Sequence, residues 1–288
     1  MEVCGRIRNI NHKDRTFEIA GKDKVDFFYL TRSQIKKFSG YLQEGLFVHF
    51  LCKEQAVIHG DKKAREVISF IKMVQTSRRE NIVFFDMNMV RKAAAKILNR
   101  EGNKMYLDME FTMPPKEFSK NSFFIHEIIR YGIVIENSDG EIIDQSCSLV
   151  KPMYQSGLND RTFNFIGVEE KEMKNAISYK KFYKLLASYI ELYNPTIYVW
   201  GKNDMLVLES SYKLHKLTPA TTKMQFVNLM QLLKNYLGQR TDIGLFNALT
   251  YFDKEVGFEQ DHNPLTDALV TREVFHTFKN YVNEKQRG

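Results

Sequence analysis

The chain has 288 residues, of which 43% are hydrophobic and 13% aromatic, enough for one large folded domain or two ordinary ones. Charged residues make up 27%, and no apolar run approaches the ~18 to 20 residues that cross a bilayer, which excludes a transmembrane protein. The first residues lack the features of a signal peptide, so we expect a cytoplasmic protein. Cys4, Cys52 and Cys147 form no CxxC pair and provide neither a disulfide framework nor a zinc ribbon.

The net charge of +7 is unevenly distributed along the chain. Residues 1–105 contain 21 Lys and Arg against 12 Asp and Glu, whereas residues 106–288 contain 21 against 23. The excess of positive charge in the first part favours a polyanionic partner such as nucleic acid, and solvated surface lysines are the simpler alternative. The more acidic remainder suggests chemistry that uses carboxylates.

Short strands separated by turn-like and basic residues are predicted in the first 75 residues. They cover 3–10, 15–20, 25–30, 46–52 and 66–72, with a short helix at 31–38 between the third and the fourth. Five short strands with a helix in this place predict a small all-β barrel of the OB type over residues 1–75. Residues 76–104, which include a helix at 90–98, are interpreted as a linker.

The pattern changes to mixed α/β over residues 105–288. Strands are predicted at 105–111, 128–136, 142–151, 196–200 and 225–228, and helices at 178–192, 205–215, 229–237, 242–256 and 264–281. Three consecutive strands followed by alternating strands and helices predict a mixed sheet with helices on its faces.

Asp108 and Glu110 alternate with apolar residues on the first of these strands, so their side chains lie side by side on one face. The opposite face, formed by Leu107, Met109 and Phe111, is apolar and is expected to pack inward. Two adjacent carboxylates repel each other and favour a bound cation between them. A strand edge that simply faces solvent is the alternative.

Three further polar residues lie at the end of a strand or the start of a helix, positions that often carry catalytic or ligand-binding residues. Asp204 follows a later strand and directly precedes a helix, where it serves either a site or an N-cap. Asn263 and Pro264 form an N-cap and first-turn pair, which places His262 just before the last helix and Asp267 just over one turn inside it. Asp267 heads the apolar stripe of that helix and is expected to point toward the sheet, unless it is a partly exposed first-turn aspartate.

Asp-x-Glu on a first strand, Asp after a later strand and His-x4-Asp at the last helix together resemble the DEDDh superfamily of 3'→5' exonucleases. The resemblance covers residues from about 104 to 283 and implies an RNase H-like mixed sheet. Phe165-Ile-Gly-Val168 is similar to the Leu-Thr-Gly-Ile segment of that family, with Ile166 in place of Thr. His262-Asn-Pro also departs from the family, which commonly has a small or basic residue there.

The resemblance implies specific roles for these residues. Two divalent cations, Mg²⁺ or Mn²⁺, would be held by four carboxylates: Asp108, Glu110, Asp204 and Asp267. His262 would act as the general base, so that His262 and Glu110 are the expected catalytic residues. Phe111 and Thr112 are expected to line the pocket for the terminal nucleotide.

The first domain resembles the cold-shock OB domains, in which aromatic side chains on two short strands stack on bases. The similarity lies in Gly5-Arg-Ile-Arg-Asn9, Asp26-Phe-Phe-Tyr-Leu30, Gly45-Leu-Phe-Val-His-Phe50 and Ala64-Arg-Glu-Val67. It implies that Phe17 and Phe28 bind nucleic acid, with plain core packing as the alternative.

We therefore expect a 3'→5' exonuclease whose partner is single-stranded nucleic acid and which releases nucleoside 5'-monophosphates. RNA is favoured over DNA, because a cold-shock-like domain offers aromatic and cationic surface to unstacked bases. The alternatives are a DNA-directed exonuclease of the proofreading or repair type and a catalytically weak single-strand-binding protein. No association with a membrane is expected.

Overall fold

The computed structural model describes residues 1–21, 25–76, 80–118, 123–254 and 262–287. The chain divides into two compact units, one formed by Met1–Ala94 with Asn235–Gln239 and the other by Ala95–Lys234 with Arg240–Gly288. None of the described helices combines the length and the apolar character that crossing a membrane requires.

The first unit contains a closed five-stranded barrel. Its elements are β1 (Glu2–Asn11), β2 (Thr16–Ala20), β3 (Val25–Tyr29), α1 (Arg32–Phe38), β4 (Phe47–His59) and β5 (Lys62–Thr76). Antiparallel pairing gives the order β3-β2-β1-β4-β5, and a parallel pairing of β3 with β5 closes the barrel. The predicted OB-type barrel, with its helix between the third and fourth strands, is confirmed.

The sheet of the barrel extends beyond the five predicted strands. β6 (Asn81–Asp86) pairs antiparallel with β5, although it lies in the segment interpreted as a linker. The helix α2 (Met87–Leu98) follows it directly. β6 contains Ile82, Val83, Phe84 and Phe85, residue types that favour strands, and its side chains are exposed or only partly buried.

The second unit is a mixed sheet with helices. Its strands are β7 (Lys104–Phe111), β8 (Ile128–Glu136), β9 (Ile142–Lys151), β10 (Ile177–Ser178), β11 (Thr196–Val199) and β12 (Phe226–Asn228). Its helices are α3 (Asp160–Ile166), α4 (Tyr179–Tyr193), α5 (Asn203–Leu214), α6 (Leu229–Leu237) and α7 (Pro264–Arg287). The strand order is β10-β9-β8-β7-β11-β12, in which β8 is antiparallel to β7 and β9 while β7, β11 and β12 are parallel. This is the RNase H-like sheet that was expected.

The helix predicted over 242–256 is wrong within the described residues. Only Phe246–Phe252 are helical, as a 3-10 segment, and Asp253 ends it in the left-handed conformation with φ 55°. The Ile243 carbonyl accepts a hydrogen bond from the Trp200 indole N–H at 3.0 Å, which connects this segment to the end of β11. Residues 255 and 256 lie outside the described part of the chain.

The two faces of β7 are covered differently. Leu107 and Met109 point into an apolar core together with residues of β8, β11, α4 and α5, as the alternation predicts. On the other face, Tyr106 packs edge-to-face on Phe275 of α7, with ring centroids 5.8 Å apart. The helix α7 therefore covers the face of the sheet that carries Asp108 and Glu110.

A buried ionic cluster fixes α7 to β8. The fully buried Glu136 carboxylate contacts Arg272 Nε at 2.7 Å, His276 Nε2 at 2.6 Å and Lys104 Nζ at 3.3 Å. Burial alone would raise the pKa of Glu136, but the hydrogen bond with His276 and the proximity of His276, Lys104 and Arg272 lower it. Removing one partner of such a cluster leaves a buried charge uncompensated, which makes the cluster a strong constraint on the position of α7.

The start of α7 lies directly on β8 at Gly132. A β-carbon added to Gly132 would be 2.2 Å from the carbonyl carbon of Pro264 and 2.3 Å from the amide nitrogen of Leu265. Gly132 is paired with Asp108 on β7. The absence of a side chain at this position therefore allows the first turn of α7 to approach the strand that carries the carboxylates.

We predict that Gly132→Ala destabilises the second unit by about 1 to 3 kcal/mol, because the added methyl group meets backbone atoms that have to move. Urea unfolding followed by circular dichroism measures the change. Gly40→Ala is the matched control, since the same methyl group at Gly40 would meet no atom within 4 Å. Equal stability of the two variants would show that α7 does not require the close approach.

Candidate active site

Three carboxylates meet where β7 passes under the first turn of α7. One oxygen from each of Asp108, Glu110 and Asp267 lies within 4.8 Å of the other two. Asp267 is held there by α7, which begins at Pro264 as predicted and is capped by Asn263, whose side-chain oxygen accepts a hydrogen bond from Leu265 N at 3.1 Å. The strand and the helix thus bring together residues that are about 160 positions apart in the sequence.

Asp204 adds a fourth carboxylate from α5. It is 4% exposed, and its Oδ1 accepts a hydrogen bond from the backbone N–H of Met109 at 3.0 Å. Asp204 is the second residue of α5 rather than its N-cap, which is Lys202. Its side chain reaches β7 at Met109, between Asp108 and Glu110, and it also accepts a hydrogen bond from its own backbone.

Burial and mutual repulsion change the acidity of the cluster. The pKa of Asp108 lies well above its usual range, because the side chain is desolvated and because Asp204, Asp267 and Glu110 are close. Burial and the neighbouring Asp267 and Asp204 likewise raise the pKa of Glu110 to about 8. Burial raises the pKa of Asp204 to about 7, although its backbone hydrogen bonds act in the opposite direction. A cluster of several carboxylates with raised pKa values is suited to a bound cation.

His262 lies at the edge of the carboxylate cluster. Its Nδ1 is 3.9 Å from Glu110 Oε1, and 40% of its side chain is exposed. Its backbone has φ 51°, and its ring lies against the ring of Phe165 with centroids 4.6 Å apart. The imidazole is therefore both next to the carboxylates and open to solvent.

The two residues expected to line the nucleotide pocket differ in accessibility. Phe111 is partly buried against the core of the second unit. Thr112 is fully buried, and its Oγ1 accepts a hydrogen bond from Glu127 N at 2.9 Å. The prediction that Thr112 contacts the nucleotide is therefore wrong for its side chain, because its hydroxyl is enclosed and already bonded.

The prediction that Phe17 and Phe28 stack on bases is also wrong. Both rings are 1% exposed and pack on each other and on Phe50 inside the barrel, with centroids 4.9 to 5.6 Å apart. A ring with no exposed face has nothing to offer a base. The alternative of plain core packing, which the sequence left open, is correct for these two residues.

The outward-facing aromatic residues of the barrel are Phe27 and Tyr29, which alternate with Phe28 on β3. Tyr29 stacks on His59 with centroids 4.2 Å apart, and Lys62 Nζ lies 4.4 Å from the centroid of the Phe27 ring. The exposure of Phe27 and Tyr29 depends on which face of the strand closes inward, and only the barrel decides this.

Two residues near the carboxylates were missed by the sequence analysis. Arg130 on β8 lies opposite Glu110 in the strand ladder. Its charge lowers the pKa of Glu110, although burial has the larger and opposite effect. Phe165 was identified as part of the segment 165–168, but its contact with His262 was not predicted. A cation inside the otherwise apolar stretch Ile128–Glu136 was the available signal for Arg130.

An RNase H-like sheet with acidic residues clustered at the end of its first strand is the architecture of a nuclease domain. No family model matches the chain. The chain is 31% identical over 171 residues to a Bacillus subtilis (strain 168) protein named "Probable 3'-5' exonuclease KapD", and the match covers 59% of this chain and 82% of that protein. The chain belongs to the family of 3'→5' exonucleases that this relative represents.

Solved structures share the fold of the second unit at lower sequence identity. The nuclease domain of 3'hExo, a DEDDh family member bound to rAMP, matches with a TM-score of 0.53 and 20% identity over 65% of this chain and 94% of that one. A full-length 3'-exonuclease gives 0.55 and 18% over 63% and 84%. A 3'-exonuclease that recognises the 3' end of histone mRNA stem-loop gives 0.53 and 17% over 62% of this chain and 64% of that chain, just under two thirds of its length.

We predict that Asp108→Asn stabilises the metal-free protein at pH 8, because burial and the neighbouring Asp204, Asp267 and Glu110 raise the pKa of Asp108 in the fold. A carboxyl group whose pKa is raised in the folded state stabilises the fold at low pH, and this contribution is lost as the pH rises from 4.5 to about 8, as for Glu110. The substitution removes one of the repelling charges.

Urea unfolding in EDTA at pH 5 and pH 8 measures this effect. Asp139→Asn, in the exposed turn between β8 and β9, is the matched control and is expected to leave the stability unchanged. If Asp108→Asn and Asp139→Asn behave alike at pH 8, the carboxylates do not repel one another in the metal-free fold.

Proposed function

We propose that this exonuclease hydrolyses single-stranded nucleic acid, RNA in preference to DNA, from its 3' end and releases nucleoside 5'-monophosphates. The observation that carries the proposal is the cluster of Asp108, Glu110 and Asp267, with Asp204 beside it, on the frame of the 3'→5' exonuclease family. Membership of that family argues against a protein that only binds single strands.

The cluster fits divalent cations by the chemistry of its donors. Carboxylate oxygens are hard ligands that suit Mg²⁺ or Mn²⁺, and the raised pKa values indicate a lack of positive charge at the site. Asp108, Glu110, Asp204 and Asp267 would hold two such ions. Bound there, the ions would supply stabilisation of the negative charge that develops on the phosphate during hydrolysis.

His262 is proposed to accept the proton of the attacking water at a ring nitrogen. Imidazole is the side chain that most readily exchanges a proton near neutral pH. The ring is next to Glu110 and partly exposed, so that it reaches both the carboxylate cluster and the solvent. Its contact with Phe165 limits the orientations that the ring adopts.

Three features support single-stranded RNA as the substrate. The excess of positive charge lies in residues 1–105, and the barrel leaves Phe27, Tyr29 and His59 partly exposed with Lys62 beside Phe27. Rings of this kind stack on unpaired bases, and cations hold the phosphates. Among the structures that share the fold, one holds rAMP and another recognises histone mRNA stem-loop.

The proposal predicts that matched RNA and DNA oligonucleotides with a 5' label are shortened stepwise from the 3' end, and only when Mg²⁺ or Mn²⁺ is present. We expect kcat/KM to be higher for RNA than for DNA, and the products to be nucleoside 5'-monophosphates. Asp108→Asn is the control for contaminating nucleases. A clear preference for DNA contradicts the proposed substrate, and products with 3'-phosphates contradict the proposed chemistry.

A second prediction concerns the general base. His262→Ala should lower kcat by about 10²- to 10⁴-fold, because the proton transfer loses its acceptor. The metal concentration that gives half-maximal activity should stay unchanged, since the imidazole is not proposed as a ligand. His12→Ala, on an exposed turn of the barrel, is the control. A loss confined to KM would assign His262 to substrate binding instead.

A further inference from the structure

Arg130 occupies an unusual position in the sheet of the second unit. It is the one residue of β8 that is not buried, and the strand is otherwise apolar except for the anchored Glu136. Its neighbours Ile129 and Tyr131 belong to the core. Because side chains alternate along a strand, the Arg130 side chain lies on the face of the sheet that carries Glu110 and Asp108.

The register of the sheet places Arg130 beside the carboxylate cluster. Arg130 pairs with Glu110, and Gly132 pairs with Asp108, in the antiparallel ladder of β7 and β8. Directly paired residues of such a ladder have their side chains on the same face, about 5 Å apart at the β-carbons. Arg130 therefore lies next to the carboxylate cluster, on the strand that separates β7 from β9.

The guanidinium of Arg130 makes no ion pair and no hydrogen bond with the residues that the structure describes. Two other partly buried arginines of the protein are paired: Arg272 binds Glu136 at 2.7 Å, and Arg65 binds Asp26 at 3.2 Å. Glu110 is close enough for Arg130 to lower its pKa, yet the two do not come within 4 Å. The five N–H donors of this guanidinium are left for another acceptor.

We propose that Arg130 binds a phosphate oxygen of the 3'-terminal nucleotide of the substrate. The proposal rests on the proposed exonuclease function, which brings a phosphodiester to the carboxylate cluster. A planar guanidinium presents paired donors that match the geometry of phosphate oxygens. The role is substrate binding, and the simpler alternative is an arginine that only offsets the charge of Glu110.

Kinetics of Arg130→Gln, Arg130→Lys and the wild type on a single-stranded RNA separate these two roles. We expect Arg130→Gln to raise KM by about 10- to 100-fold, the loss of a charged hydrogen bond, while kcat changes little. The dependence of log(1/KM) on log salt should become less steep by about 0.7, as for the loss of one phosphate contact on a single strand. Arg130→Lys should keep the salt dependence and part of the affinity, and it keeps the charge if the glutamine variant folds poorly.

Arg287→Gln is the matched control, because Arg287 is exposed at the far end of α7, about 35 Å from its first turn. Its KM and salt dependence should equal those of the wild type. Competitive inhibition gives an independent measurement: Arg130→Gln should weaken inhibition by adenosine 5'-monophosphate by about 10-fold or more and leave inhibition by adenosine unchanged.

The proposal is overturned if Arg130→Gln keeps the salt dependence of the wild type and its inhibition by the monophosphate, whatever happens to kcat. That outcome would mean that the guanidinium acts only through Glu110. The proposed function fails separately, through a wild-type protein that degrades neither RNA nor DNA with Mg²⁺ or Mn²⁺.

Discussion

The mutual repulsion of the carboxylates clustered at β7 is the constraint that the rest of the second unit has to accommodate. Asp108, Glu110 and Asp204 are all less acidic than usual because they are buried together, so the fold holds them at a cost in free energy. Apolar packing offsets that cost on the other face of the same strand, where Leu107 and Met109 are buried. A site of this kind is strained without a cation and relaxed with one.

The positions of the carboxylates are set by backbone contacts as much as by their own side chains. The Met109 N–H holds Asp204 against β7, and Gly132 lets the first turn of α7 reach the same strand. About two turns further along α7, Arg272 and His276 bind Glu136. The helix is thus fixed to the sheet at two points, and Asp267 is carried with it.

The barrel shows how strand alternation becomes ambiguous when both phases are aromatic. In Asp26-Phe-Phe-Tyr-Leu30 either Phe28 or the pair Phe27 and Tyr29 has the size to fill a small core. Closure of the barrel by the β3–β5 pairing directs Phe28 inward, next to Phe17 and Phe50. The partly exposed aromatic residues of β3, Phe27 and Tyr29, are consequently ones that the resemblance to cold-shock domains did not select.

The sequence by itself determined the order of most of the elements and the carboxylates of the site. The predicted bounds of β8 and α6 agree with the structure, because apolar periodicity over a long stretch leaves few alternatives. Asp108 and Glu110 were identified from their alternation with apolar residues on one strand, and Asp204 and Asp267 from their places after a strand and at the start of a helix. Only the tertiary structure decided which residues lie beside them, since the approach of α7 to Gly132 and the pairing of Arg130 with Glu110 depend on strand register and helix position. The burial of Thr112, Phe17 and Phe28 was decided in the same way, because burial is a property of neighbouring segments that are distant in the sequence.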